Sequence, residues 1–189
     1  MGTRNLSILK KNGEYKVRQY GQWDGYLEGQ GITILEFCRK EGNLKALRAI
    51  ADELRDIRSE EMNTFCQDYD KRVAEWSNQP DNRTTEMKYW ANKLLSRDIG
   101  GKIFENIITV DKSKLPKEMN EHIYLAHYSD WDELKNYSDI WIEYAYIIDL
   151  DTNKLEVWAY GKQLGEFDLD NLPSDDEFFA LEKKINDDE

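Results

Sequence analysis

Five basic residues near the start of the chain are the side chains with the clearest potential for chemistry. The first twenty residues hold these five and one acid, Glu14, whereas the whole chain of 189 residues has a formal net charge of −12. Lysine and arginine neutralise phosphate groups, so a local basic cluster on an acidic chain indicates where a charged partner binds. The five residues are Arg4, Lys10, Lys11, Lys16 and Arg18. They form a candidate segment for binding a phosphate-bearing partner.

Two aromatic residues, Trp23 and Tyr26, follow the basic segment within a stretch containing four glycines, residues 21–31. Aromatic rings can stack on unpaired RNA bases, so we include both residues in the candidate RNA-binding set. The alternative is that both rings are core residues that hold this glycine-rich loop in place. Glycines at this density predict backbone with positive φ angles.

A catalytic hypothesis uses the same segment. RNA carries its own nucleophile, the 2′-hydroxyl, so a protein can promote strand scission without a metal by moving protons and stabilising the phosphorane. In this hypothesis Lys16 and Arg18 neutralise the phosphate, while Tyr20 and Asp24 assist proton transfer. These four residues are the candidate catalytic set.

Other motifs are weaker candidates for chemistry. Asp149, Asp151 and Asn153 have the spacing that begins a calcium loop, but the sixth position is Lys154 rather than glycine. We interpret the segment as a hairpin turn, with a Mg²⁺ pair at the two aspartates as the alternative. His122 and His127 lie five residues apart without a third ligand. We therefore predict no metal site and no cofactor.

The basic segment itself is predicted to be a β-hairpin. Asn12-Gly13 separates the runs LSILKK and EYKVRQY, and Asn-Gly favours a type I′ turn because both central residues need positive φ. Uninterrupted pairing places Ile8 opposite Val17 and Ser7 opposite Arg18. One face then packs on a core with Leu6, Ile8, Tyr15 and Val17. The other face, which would meet RNA or solvent, holds Asn5, Ser7, Leu9, Lys11, Lys16, Arg18 and Tyr20.

The remaining elements predict an α+β fold. Apolar spacing predicts helices over 33–40, 43–59, 60–76, from about 84 and over 98–110. IWIEYAYIIDL and KLEVWAYG predict a second hairpin, with a short strand near 165–169 and a closing helix over 175–185. Because the helices come as a block, both hairpins are expected in one antiparallel sheet packed against them.

One domain, 1–189, accommodates these elements. It comprises the basic hairpin and glycine-rich loop (1–31), a helical block (32–110), a β-hairpin region (137–170) and an acidic C-terminal segment (174–189). Hydrophobic residues make up 40% of the chain and argue against wholesale disorder. The cysteines, Cys38 and Cys66, have no disulfide pattern, and no signal segment or membrane span is evident. We expect a cytoplasmic protein, and the sequence leaves its oligomeric state open.

The two ends of the chain carry a resemblance. MGTRNLSILKKNGEYKVRQYGQWDGY, together with YAYIIDLDTNKLEVW, resembles a family of phage and mobile-element proteins. Within that neighbourhood the chain resembles anti-CRISPR inhibitors of type II-A Cas9, in the branch that acts on guide RNA. This implies Cas9 and its guide RNA as partners in a bacterial host cell, and a ribonuclease-like activity that truncates the guide. It also implies that the five basic residues of the hairpin face RNA.

Three alternatives belong to other classes. The first is a non-enzymatic inhibitor whose acidic surface occupies a nucleic-acid groove of its target, through residues such as Asp168, Asp170, Asp175 and Asp176. The second is a structural phage protein. The third is a resemblance to N-terminal nucleophile hydrolases, in which the first residue of the mature chain attacks the substrate. Removal of Met1 would expose Gly2, which has no side-chain nucleophile, and Thr3 would be the second residue rather than the first, so amide hydrolysis is not favoured.

Overall fold

A computed structural model of the chain describes residues 2–57, 89–96, 98–115, 121–126 and 142–186. The described strands are β1 (Asn5–Lys11), β2 (Glu14–Gly21), β3 (Leu54–Ile57), β4 (Ile123–Ala126), β5 (Tyr144–Asp149), β6 (Lys154–Ala159) and β7 (Lys162–Asp168). The described α-helices are α1 (Ile32–Arg39), α2 (Asn43–Ile50), α3 (Ile103–Ile108), α4 (Asp175–Phe179) and α5 (Lys183–Asn186). The predicted α+β class is confirmed.

Short helical turns complete the described elements. The 3₁₀ turns are Ala51–Glu53, Gly100–Lys102, Lys112–Lys114 and Ala180–Glu182, and the π-helical turns are Leu27–Gly31 and Ala91–Leu95. The predicted helix over 60–76, the beginning of the helix near 84, and the residues Cys66 and His127 lie outside the described residues. No helix in the described ranges has both the length and the apolar character needed to cross a bilayer.

The predicted basic hairpin is present. β1 and β2 are antiparallel, and the turn residues Asn12 and Gly13 have φ angles of 57° and 72°. Both angles are positive, as a type I′ turn requires.

The predicted register is wrong beyond the first two pairs because the ladder contains a β-bulge. Leu9 pairs with Val17 rather than with Lys16, so every later pair is shifted and Ile8 lies opposite Arg18. A bulge inserts one extra residue into one strand, here Lys16. The shift places Val17 on the same face as Leu9, and both are buried in the larger core. Burial of these two aliphatic side chains accounts for the register that the sequence pattern alone did not indicate.

The main sheet is mixed, with strand order β2-β1-β5-β6-β7. β5, β6 and β7 are antiparallel, as predicted, but β1 and β5 are parallel. The prediction of a wholly antiparallel sheet is therefore wrong at this pair. Every residue of β5 is buried, which is typical of a central strand covered on both faces.

The helical block contains a strand that was not predicted. The predicted helix over 43–59 ends at Ile50, and Leu54–Ile57 pairs with Ile123–Ala126 in a two-stranded parallel sheet. The strand partner is almost 70 residues away along the chain, so local periodicity could not reveal it. Helix α1, the helical stretch over 100–108 and the closing helical segment match their predictions.

Hydrophobic side chains form two clusters. The larger cluster contains Leu9 and Val17, together with Phe37 and Phe104, whose ring centroids lie 5.6 Å apart. The smaller one contains Leu6, Ile8, Ile142, Ala145 and Ile147. Cys38 is buried in the larger cluster, and burial raises the pKa of its thiol to about 12, so it is a packing residue rather than a nucleophile.

Candidate nucleic-acid interface

Four of the five predicted RNA-binding cations form ion pairs with carboxylates of this chain. The distances between charged atoms are 3.1 Å for Lys10–Asp149, 2.8 Å for Lys11–Asp52, 2.5 Å for Lys16–Glu14 and 2.6 Å for Arg18–Asp56. Three of these acids come from outside the hairpin. The local positive charge that the sequence indicates is therefore largely neutralised inside the folded chain.

The Arg18–Asp56 pair is the most buried of the four. The side chains are 13% and 10% exposed, and two guanidinium nitrogens of Arg18 donate to the two carboxylate oxygens of Asp56. The guanidinium carbon also lies 5.3 Å from the centre of the Tyr15 ring. This pair joins β2 to β3 and acts as a structural contact.

Two polar residues of the predicted RNA-facing side are also buried. Asn5 and Ser7 are both fully inaccessible to solvent. The Asn5 amide donates to the carbonyls of Gly21 and Trp23, and so holds the end of β2 against the start of β1. The expectation that this face is open to RNA is wrong for these two residues because the neighbouring elements pack against both faces of the sheet.

The glycine-rich loop uses its glycines for close approach rather than for positive φ. A Cβ atom at Gly25 would lie 2.7 Å from the Thr3 carbonyl oxygen, and one at Gly29 would lie 2.1 Å from that of Asp24. The residue with positive φ in this loop is Asp24, at 54°. The prediction of left-handed glycines is therefore wrong for residues 21–31.

Trp23 and Tyr26 lie on the surface of this loop. They are 59% and 38% exposed, so the alternative that both are core residues is wrong. The Tyr26 hydroxyl donates to Asp24 at 3.1 Å, and this hydrogen bond raises the pKa of the tyrosine. Two accessible rings next to a carboxylate are compatible with base stacking.

The four predicted catalytic residues do not converge. Lys16 and Tyr20 lie four residues apart on β2, a separation of about 13 Å at the usual rise of a strand. The Lys16 ammonium contacts Glu14, and the Tyr20 hydroxyl donates to Gln22 at 2.7 Å. Arg18 is held by Asp56, and Asp24 by its contact with Tyr26. This arrangement does not place these four groups around one phosphate.

The tips of the two hairpins are tied together by aspartates. The Asp151 carboxylate accepts hydrogen bonds from the backbone amides of Asn12 and Gly13, at 2.7 and 2.8 Å. The Asp149 carboxylate accepts from the amides of Asp151 and Thr152. The interpretation of this segment as a hairpin turn is confirmed. Within the described part of the chain, no group of three or more potential metal ligands comes together.

Asp149 gives the hairpin contact a pH dependence. Burial opposes its ionisation, but the amide of Thr152, the ammonium of Lys10 and the amide of Asp151 together lower the pKa of Asp149. The Asp149 carboxylate therefore contributes fully to the free energy of unfolding above its unfolded-state pKa of about 4. This contribution is lost as the pH falls through the lower pKa of Asp149 in the folded protein.

Replacing Asp149 by asparagine is expected to lower the free energy of unfolding by about 1.5–3 kcal/mol near pH 7, because hydrogen bonds to a charged acceptor are lost. The difference from the wild type should shrink in acid, because below the unfolded pKa of about 4 the unfolded wild-type chain binds a proton that the folded carboxylate, with its lowered pKa, binds less readily. Urea denaturation of both proteins at about pH 7 and about pH 3 measures this. Glu166→Gln, at an exposed acid on β7, is the control. A difference that stays constant with pH would contradict the prediction.

The sequence analysis did not predict the contact between the carboxyl groups of Glu28 and Glu182. Burial, the charge of Glu28 and a hydrogen bond to Glu28 raise the pKa of Glu182. The two residues are 154 positions apart, so the sequence spacing does not indicate this contact. The spacing also does not indicate the three aspartates that pair with the hairpin cations.

Comparisons with known proteins give no relative: no protein-family model matches the chain, and no curated protein or solved structure is significantly similar to it.

Proposed function

We propose that this chain is a non-enzymatic inhibitor whose acidic surface occupies a nucleic-acid groove of a target protein. The target we favour is the type II-A Cas9–guide complex in the bacterial cytoplasm, on the basis of the resemblance of the chain ends. The observation that carries the proposal is the pairing of the hairpin cations with carboxylates of the chain itself. A protein with a net charge of −12 and no open basic face in the described hairpin repels RNA and attracts a groove lined with lysine and arginine.

The acidic groups best placed for this role form what we call the acidic edge: Asp168, Asp170, Asp175 and Asp176. Asp170, Asp175 and Asp176 are exposed, and Asp168 is half-exposed. Asp175 pairs with Arg39 at 2.5 Å and Asp168 lies 3.9 Å from the Lys154 ammonium, but both carboxylates remain accessible to solvent, unlike that of Asp56. The Asn153 amide donates to both Asp168 and Asp170, which fixes these two carboxylates next to each other. Asp175 and Asp176 begin helix α4, where Ser174 and Glu177 form a capping box. The acidic edge is therefore held on ordered backbone.

The test compares two sets of four acid-to-amide substitutions in a Cas9 cleavage assay. One set removes the acidic edge: Asp168→Asn, Asp170→Asn, Asp175→Asn and Asp176→Asn. The matched set removes four exposed acids elsewhere: Glu36→Gln, Glu41→Gln, Glu105→Gln and Glu121→Gln. The acidic-edge set is expected to weaken inhibition at least about tenfold, and binding of the wild type should weaken steeply with salt. Equal losses from both sets, or full inhibition by the acidic-edge set, would contradict the proposal.

A second candidate function is truncation of the guide RNA, because Trp23 and Tyr26 are accessible beside Asp24. Labelled guide RNA is incubated with the protein, with and without Cas9, in EDTA or Mg²⁺, and resolved on a denaturing gel. A discrete shortened RNA that disappears in Trp23→Ala/Tyr26→Ala would favour this function. Intact RNA with Cas9 nevertheless inhibited supports the acidic inhibitor.

A further inference from the structure

A cleft of about 440 Å³ lies between the first residue of β5, the residue after β6 and the C-terminal helical segment. Its lining residues are Tyr144, Tyr160, Phe179, Glu182, Lys183 and Ile185. The volume is within the range of pockets that hold small ligands or single side chains. None of these residues belongs to the hairpin or to the acidic edge, so the cleft is a separate feature.

Two tyrosines form an aromatic wall in this cleft. The rings of Tyr144 and Tyr160 have centroids 5.9 Å apart and are tilted by 56°. Tyr144 is buried at the bottom, whereas Tyr160 is exposed at the mouth. A further ring, Tyr146, stacks behind Tyr144 with centroids 6.5 Å apart. Tyr160 therefore presents its ring to solvent, with the buried rings of Tyr144 and Tyr146 behind it.

The charge around this wall is negative. Burial, followed by the nearby Tyr160, Glu182, Glu28 and Glu143, raises the pKa of Tyr144 to about 12. Glu182 also lies within hydrogen-bonding contact of Glu28, and burial together with the charge of Glu28 raises the pKa of Glu182. Lys183 contributes the opposing charge, from the exposed rim of the cleft.

An organic cation matches both properties. Tyrosine faces attract cations, and a guanidinium group can stack on an aromatic ring while it donates parallel hydrogen bonds to a carboxylate. A cation in the cleft would pair with the Glu182 carboxylate, which lines it. An apolar or anionic ligand would instead desolvate these carboxyl groups without pairing them, which costs free energy.

We infer that this tyrosine cleft binds the guanidinium group of an arginine side chain presented by a partner protein. We identify this partner as the nucleic-acid-binding target on the basis of the function proposed above. A groove that binds nucleic acid is rich in arginine, so an inhibitor that enters it meets such side chains.

The test titrates the purified protein with acetyl-Gly-Arg-Gly-amide and follows backbone amide shifts by NMR. Shifts are expected to concentrate at Tyr144, Tyr160 and Glu182. The matched peptide with citrulline, which replaces the guanidinium by a neutral group of nearly the same shape, should bind at least about tenfold more weakly. The lysine peptide should bind more weakly than the arginine peptide. Equal binding of the citrulline peptide, or no shifts at the cleft, would overturn the inference.

Substitutions in the cleft test whether the charges of its lining residues determine the affinity for the arginine peptide. Glu182→Gln is expected to weaken binding of the arginine peptide about fivefold, because one partner charge is lost, whereas Lys183→Gln should strengthen it. Glu166→Gln, an exposed acid on β7, should leave it unchanged. Unchanged binding in Glu182→Gln would count against the cleft. Because the titration contains no Cas9, its outcome is independent of the inhibition assay, and the two proposals can fail separately.

Discussion

Replacing Arg18 by methionine is expected to lower the free energy of unfolding by about 3–5 kcal/mol. The substitution leaves the Asp56 carboxylate buried without its principal charge partner, and both side chains are nearly inaccessible in the native protein. Removing one member of a buried ion pair costs more free energy than replacing both members by apolar residues, so the double variant Arg18→Met/Asp56→Leu should recover most of the stability. Urea denaturation of the wild type, both single variants and the double variant measures the coupling.

Lys16 provides the matched control on the same strand. Its partner Glu14 is well exposed, so Lys16→Met should cost less than about 1 kcal/mol. A double variant as unstable as Arg18→Met, or a Lys16→Met variant as unstable as Arg18→Met, would contradict the expected difference. The comparison also bears on function: an Arg18→Glu protein that fails to inhibit a nuclease cannot be taken as an RNA-binding variant until its folding has been measured.

Removing the Tyr146 ring should have an effect of similar size on stability. Tyr146 is fully buried, its hydroxyl donates to the Gly25 carbonyl at 2.7 Å, and a Cβ atom at Gly31 would lie 2.9 Å from that hydroxyl. Tyr146→Ala is therefore expected to cost about 3–5 kcal/mol through the cavity it leaves. Tyr146→Phe keeps the ring but leaves the Gly25 carbonyl without this donor, and should cost about 1–2 kcal/mol.

Hydrogen exchange separates the two contributions of this residue. The Gln30 amide donates to the Asp24 carbonyl within the glycine-rich loop, at 2.7 Å. In Tyr146→Phe this amide should exchange faster relative to amides of β6 than in the wild type, because the loop has lost its hydrogen bond to the Tyr146 side chain of β5. Uniform acceleration across the whole protein would show instead that the hydroxyl acts on global stability alone.

Local signals in the sequence predicted much of the fold. Asn12-Gly13, the alternating residues of the second hairpin and the spacing in helix α1 each depend on neighbours within about ten residues, and each is present. The features that were missed depend on distant partners. The bulge at Lys16 depends on the burial of Val17. The strand Leu54–Ile57 depends on its pairing with β4, and the parallel arrangement of β1 depends on its pairing with β5.

The candidate site was harder to predict for the same reason. A run of cations indicates a phosphate-binding face only when the folded chain supplies no counter-charges, and here Asp52, Asp56 and Asp149 supply them from other elements. The sequence allowed Trp23 and Tyr26 to be either exposed or core residues, and the packing of the folded chain distinguishes these alternatives. The tyrosine cleft joins residues from three regions of the chain and has no sequence signature at all.

The parallel pairing of β1 with β5 has a consequence for how the protein is made. β1 is hydrogen-bonded to β2 on one side and to a strand that begins at Tyr144 on the other. During translation the first hairpin can form early, but its inner edge has no native partner until more than a hundred further residues have been synthesised. Contacts of such long sequence separation slow folding and leave an unpaired strand edge exposed to other chains. We therefore expect the nascent chain to depend on chaperones, and rapid synthesis at high concentration to yield aggregates joined through β1.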